Sequence, residues 1–259
     1  MQTTLGTVVK GLQVLEALAA SPEPRGVTDL ANELGLLKSS VHRLLRTLAT
    51  RGYVRQTPSG RYTCTLKLLE MGSRVAEGID VVALARPQLV ELARLTDETI
   101  HLSVLDESEV IYVDKIESPQ PVRAYSRVGG RAPAYCVATG KALLAYAENK
   151  VLDALESRMQ AHTPRTICDR QTLERDLRRV RETGHAINRG EWRETVGGVA
   201  SPIFDSTGRA TAAIGISGPL ERLTITRMRE FAPQVVASAR AISLALGAGL
   251  PQIPIGNRS

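Results

Sequence analysis

Two short amphipathic segments separated by a glycine constrain this chain more than any other feature. Thr28 offers an N-cap for a helix carrying Leu30, Ala31 and Leu34 on one face, and Gly35 stands where a left-handed residue would close it. After a tight turn, Lys38–Thr50 repeats Val41, Leu44, Leu45 and Leu48 at i, i+3, i+4, i+7, the stripe of a helix with one buried side. Its other side, with Ser39, Ser40, His42, Arg43, Arg46, Thr47 and Thr50, holds no acid. That combination describes a helix-turn-helix. Upstream, Val8, Leu12, Leu15 and Ala19 mark another amphipathic helix, ended by Ser21-Pro22-Glu23-Pro24. Downstream, Gly52–Gln56 and Arg61–Cys64 read as strands around the turn Thr57-Pro58-Ser59-Gly60, a hairpin placed like a wing. Ser39, Ser40, Arg43 and Arg46 are expected to face the major groove, with Thr28 and His42 beside them. Lys38, Arg55 and Arg61 are expected on phosphates. Any one of these residues also suits a solvated helix face; the turn, the acid-free face and the hairpin together favour DNA.

The charge distribution agrees. The 259 residues carry a formal charge of +6, and the first 74 hold ten Lys/Arg against five Asp/Glu, whereas the remaining residues hold 23 against 22. A basic small domain beside a near-neutral larger one suits a chain of which only the first part meets a polyanion. Aromatics make up only 3%, so the core must rest on aliphatic residues. No apolar run approaches the roughly 20 residues of a membrane span, and Met1–Lys10 lacks the pattern of a secretion signal. The expectation is a cytoplasmic protein without a membrane. Cys64, Cys136 and Cys168 are too few and too scattered for a disulfide framework or a Cys-x-x-Cys metal site.

Beyond the wing, Leu66, Leu68, Leu69, Met71, Val75 and Ala76 suggest a linker helix, with Gly72 and Gly78 as weak points. Val81–Leu95 reads as a helix broken or kinked at Pro87. Ile100, Leu102 and Val104 alternate with Thr99, His101 and Ser103, and Ile111–Val113 follows, a pair of antiparallel strands. Residues 140–147, 150–158 and 172–183 read as helices, 199–204 and 211–216 as strands, and 226–246 as a last helix. Strands and helices in this order make an α+β domain.

The stretch Leu36-Leu37-Lys38-Ser39-Ser40-Val41-His42-Arg43-Leu44-Leu45, followed by Arg51-Gly52-Tyr53-Val54, resembles the DNA-binding half of the IclR family of bacterial transcriptional regulators. Glu98–Leu102, Val128–Pro133, Thr139–Ala145 and Gly215–Pro219 are similar to that family's effector-domain blocks, in the same order. The resemblance runs from about Val8 to Leu250. Leu37 departs from it, standing where the family usually has a proline, so a loosened first turn of the recognition helix is expected. The resemblance implies a GAF-like sheet around a pocket for a small organic acid. Ala138, Thr139 and Gly140 open a helix there, and helix N-termini attract carboxylates, although Thr139 also reads as a plain N-cap. Gly198, Gly215 and Ser217 would come from the two closing strands, with Gly215 leaving room where some relatives carry a second hydroxyl. Arg189 either meets the effector or pairs with Glu191 or Glu194. Trp192 reads as packing, and Cys136 faces either the pocket or the core, the latter being the commoner place for a free thiol.

No catalytic constellation emerges. Gly140-Lys141 lacks the remaining residues of a phosphate loop, Gly215–Gly218 has its second glycine one residue early for a hydrolase elbow, and His42, His101, His162 and His185 lack metal-ligand spacing. The expected organisation is a winged helix-turn-helix over 1–65, a linker helix over 66–80, a GAF-like effector-binding domain over 81–250 and a tail over 251–259. Such a chain would bind pseudo-palindromic double-stranded DNA as a homodimer or a dimer of dimers, without cofactor or metal. It would repress a catabolic operon under control of an organic acid. The alternative is a small-molecule sensor whose basic domain contacts RNA or a protein partner.

Overall fold

Helix α1 (Gly6–Ala19) buries Val14 and Leu18, one turn apart. They meet Leu30 and Ala31 of α2 (Val27–Leu34) and Val41 and Leu45 of α3 (Lys38–Thr50), a core closed by Val54 and Tyr62. The last two lie on β1 (Val54–Gln56) and β2 (Tyr62–Cys64), paired antiparallel with Arg55 opposite Thr63. Arg25 adds a bridge to Tyr62, with two backbone hydrogen bonds of 2.8 Å, so the wing is anchored to the segment before α2. Gly35 closes α2 at φ 63°, as the sequence suggests. Thr28 does not cap that helix. Gly26 occupies the cap, and the Asp29 carboxylate accepts from the Gly26 N–H at 3.3 Å, which leaves Thr28 exposed inside the first turn. Leu37 does not loosen α3: it caps the helix at φ −66°, the angle a proline would have preset.

This is a computed structural model, and it describes residues 6–77 and 80–248. The chain divides into two compact units, residues 1–78 and 79–259. Helix α4 (Lys67–Glu77) ends the first. Of the expected linker, Gly78 and Ile79 lie outside the described residues, as does the tail 251–259.

The second unit begins with α5 (Asp80–Thr96), which runs unbroken through Pro87. Strands β3 (Thr99–Asp106), β4 (Glu109–Ile116), β5 (Arg131–Pro133), β6 (Ala186–Arg189), β7 (Val196–Phe204) and β8 (Ala210–Pro219) form one antiparallel sheet, ordered β5-β4-β3-β8-β7-β6. Its helices are α6 (Ala138–Leu144), α7 (Asn149–Glu156), α8 (Arg170–Thr183) and α9 (Ile225–Ala245), with a 3-10 turn at Ala134–Cys136 before α6. The two-residue period of the strands separates two cores. Ile100, Leu102, Val199, Ile214 and Ile216 pack on α5 and α9. Ala200 and Ala213 face the other way, toward α6 and α8. Every residue of α6 is buried, so this short helix is the centre of the second layer.

Candidate nucleic-acid interface and ligand pocket

On α3, burial of Val41 and Leu45 turns the opposite face outward. Lys38, Ser39, His42, Arg43 and Arg46 are exposed, and Ser40 is half-buried. Thr47 and Thr50 donate at 3.0 Å to the carbonyls of Arg43 and Arg46, so their hydroxyls are tied to the helix. Arg43 and Arg46 have no carboxylate partner within the described residues, and Arg55 is exposed on the hairpin. Arg61 differs. Its guanidinium donates to the Pro24 carbonyl at 2.8 Å and to the Asp29 carboxylate at 3.2 Å, joining the wing to α2. An arginine so engaged supports the hairpin rather than standing free for a phosphate.

In the larger unit, a cavity of about 340 Å³ lies between the sheet and α6. Ala138, Thr139, Gly198, Gly215 and Ser217 all line it, and Gly198 stands directly opposite Ser217 across β7 and β8. The Ser103 hydroxyl donates to Thr139 at 3.2 Å, fastening α6 to β3. His101, on the same side of β3, stacks on Tyr112 with ring centroids 4.6 Å apart. Its Nε2 lies 2.6 Å from Ser126 Oγ, and Lys115 Nζ donates to the Ser126 carbonyl at 2.6 Å. These bonds hold Ser126 against the cavity. Arg123 and Arg193 line the cavity as well, and none of its lining residues is acidic.

Beside this cavity sits an ionic cluster. Lys141 is only 1% exposed; its Nζ donates to Asp176 Oδ2 at 2.7 Å and to Glu191 Oε1 at 3.0 Å. The Glu191 N–H in turn donates to Asn188 Oδ1 at 2.9 Å, and Asn188 lines the cavity. Burial holds the Glu191 carboxyl above its ordinary range, against the pull of Lys141.

Comparison with known proteins decides what these two sites belong to. Residues 7–58 match the IclR helix-turn-helix domain, and residues 73–244 match the domain described as bacterial transcriptional regulator IclR C-terminal. The chain belongs to the IclR family. It is 38% identical to the HTH-type transcriptional regulator KdgR of Escherichia coli K12, over 94% of each chain. It is 32% identical to the transcriptional repressor IclR of the same organism, covering 93% of this chain and 90% of that one. Among solved structures, the Thermotoga maritima IclR superposes with a TM-score of 0.80 at 29% identity, over 94% of this chain and all of that one. The chain is thus an IclR-family transcriptional regulator with a helix-turn-helix DNA-binding domain.

Within that frame, two expected pocket residues lie elsewhere. Gly140 does not line the cavity; it packs against the backbone of Ala134. Arg189 points away, into a separate cleft, and forms no ion pair with Glu191 or Glu194 among the described residues; only its N–H reaches Glu191, at 3.3 Å. Nor does Gly215 leave room. A Cβ there would come within 2.7 Å of the Ala200 Cβ and 2.9 Å of the Val199 carbonyl. Trp192 both packs on the α6 core and lines the cavity. Cys136 is buried, which pushes its thiol up to about 12.

Sequence reasoning missed His101, Tyr112, Asn188, Arg123 and Arg193. The strand alternation did put His101 opposite Ile100, but an isolated polar position on a strand is normally read as solvent-facing. Burial lowers the His101 imidazole to about 4, with Lys115 adding repulsion, so the ring stays neutral. Because the unfolded chain takes up a proton near 6.5 and the folded one resists until about 4, stability is lost as pH falls through that window. His101→Gln is expected to lose less between about pH 6.5 and about pH 4 than the parent, measured by urea unfolding across that range.

Proposed function

We propose that this regulator binds a pseudo-palindromic operator as a homodimer in the cytoplasm and represses a catabolic operon under control of a small organic acid. The cavity carries the reading: Arg193, and Arg123 (which also lies 3.6 Å from Glu117 outside the lining), with no acid among the lining residues, suit an anion. Ser217, Thr139 and Asn188 add hydroxyl and amide groups beside the backbone of Ala138, and Tyr112 and Trp192 supply apolar walls. A small carboxylate there is held near Ala138–Thr139 and Ser217. On the DNA side, Ser39, Ser40, Arg43 and Arg46 read bases, and Lys38 and Arg55 hold phosphates. The relative named as a transcriptional repressor supports repression as the sense of control.

The dimer reading draws on exposed apolar residues of the smaller unit. Val8 and Leu12 are 57% and 52% exposed one turn apart on α1, and Leu69 is 65% exposed on α4. One recognition helix also spans too few base pairs for specificity, which favours paired half-sites. Sedimentation velocity at micromolar concentration is expected to give a dimer or larger; a lone monomer would count against it.

Ligand control requires unequal affinity for two DNA-binding geometries. In the proposal, occupancy of the cavity alters the spacing of the two recognition helices through the segment 66–80. Fluorescence anisotropy with DNA from upstream of the protein's own gene, against a scrambled control, tests the reading. Arg43→Ala is expected to relax preference at one half-site position by about 1–3 kcal/mol. Organic acids that release or tighten the upstream DNA are expected to lose that effect in Ser217→Ala. Equal, weak binding to both DNAs would favour a sensor that meets RNA or a protein instead.

A further inference from the structure

Back to back with the cavity lies a wider cleft, about 1200 Å³ in volume. The strand β6 divides them: Asn188 lines the cavity, and its neighbour Arg189 lines the cleft. Four separate segments converge on this cleft with arginines, namely Arg165, Arg175 and Arg179 of α8, Arg189, and Arg229 of α9. All five are exposed, and none forms an ion pair among the described residues. Elsewhere in this unit Arg86, Arg131, Arg170 and Arg222 each hold a carboxylate. Only two acids line the cleft, Asp176 and Glu191, and buried Lys141 occupies both. Six cations against two carboxylates leave an excess of four positive charges here, although residues 75–259 as a whole hold 23 Lys/Arg against 22 Asp/Glu.

The lower part of the cleft has a second character. Lys141 Nζ lies 2.9 Å from Glu191 Oε2, yet that oxygen, fully buried, accepts no hydrogen bond. That oxygen meets only the lysine ammonium, and the cleft lining adds the hydroxyls of Thr172 and Thr183 from the two ends of α8. Guanidinium forks suit phosphate oxygens, and the threonine hydroxyls of the lining suit hydroxyl groups of a ligand.

We propose that this cleft binds a hydroxyl-bearing small molecule with several phosphate charges, of the nucleotide or sugar-phosphate class, separately from the organic-acid cavity. The phosphates lie across Arg175, Arg179, Arg189 and Arg229, and hydroxyls of the ligand meet Thr172 or Thr183.

Isothermal titration calorimetry on the full chain tests this, with ATP in the absence of magnesium and with inorganic tripolyphosphate as probes. ATP is expected to bind, and tripolyphosphate, which brings the charge without the sugar hydroxyls, to bind more weakly. Arg179→Ala/Arg189→Ala is expected to weaken ATP by about tenfold or more. Both positions are exposed, so folding survives the change. Ser217→Ala and Arg43→Ala are expected to bind ATP like the parent. Absence of heat up to millimolar ATP would overturn the proposal, as would binding that the double variant leaves unchanged. Equal affinity for the two probes would overturn the hydroxyl contact and with it the ligand class. Loss with Ser217→Ala would move the ligand to the cavity, and loss with Arg43→Ala would move it to the DNA-binding unit. Neither of those results bears on operator recognition, which the anisotropy assay reads independently.

Discussion

Gly140→Ala is expected to cost the larger unit about 3 kcal/mol or more, a large part of an ordinary domain's stability. A Cβ at this position would fall 2.6 Å from the Ala134 carbonyl carbon and closer still to that residue's oxygen and Cα. The obstacle is backbone, so no side chain can swing aside. Relief would require α6 to move off the Ala134–Cys136 turn, and α6 is buried all round against β3, β7 and β8. Moving it would also pull Thr139 from Ser103 and Lys141 from its carboxylates. Urea unfolding followed through Trp192, the single tryptophan, reports on this unit alone. A variant with the parent's midpoint would mean that α6 tolerates a wider gap to Ala134 than the structure has. The glycine therefore serves close packing beside the cavity.

Lys141→Met is expected to destabilise by about 3–5 kcal/mol, because it strands the Glu191 carboxylate in the interior. Asp176, 31% exposed, is the less affected partner. The deficit should depend on pH. Burial already raises the Glu191 carboxyl in the folded state, so its contribution is full below about 4.5 and lost as pH rises through the folded value. Without Lys141 that value rises further, and the loss extends to higher pH. Urea midpoints at about pH 5 and about pH 8 are therefore expected to show a larger deficit in the variant at the higher pH. Lys141→Met/Glu191→Gln is expected to recover part of the loss at about pH 8, since no charge is then left buried. A pH-independent deficit, unchanged in the double variant, would show that packing of the lysine stem matters more than its charge. The cluster connects α6 and the β6–β7 turn, two walls of the cavity, so the same variants are informative about ligand response.

Much of this architecture was legible in the residues. The Val41–Leu48 stripe and Gly35 predict α2 and α3 because helical periodicity and a left-handed closing residue are local properties of the chain. The hairpin after α3 follows from its turn residues, and the alternation over 99–104 predicts β3. Strands β5 and β6 were missed, since three or four residues carry too little pattern to stand out. Pro87 was misjudged because a proline's effect depends on its place within a helix that tertiary packing already holds.

At the site, local pattern reached its limit sooner. Ala138, Thr139, Gly198, Gly215 and Ser217, expected from the family resemblance, line the cavity, whereas Gly140 and Arg189, expected on the same ground, do not. Neighbours along a strand or helix share a motif but face opposite sides, as Asn188 and Arg189 show.

What the sequence determined by itself was the order and kind of elements, the basic acid-free face of α3 and the membership of a family. Those depend on periodicity, charge and residue type, all carried by the chain without reference to distant contacts. What only the tertiary structure decided was burial. With α6 packed over the same face of β3 and β7, His101, Ser103 and Lys141 are interior residues rather than surface ones. Lys141, cut off from water, then needed Asp176 and Glu191, both more than thirty residues away in sequence, to compensate its charge.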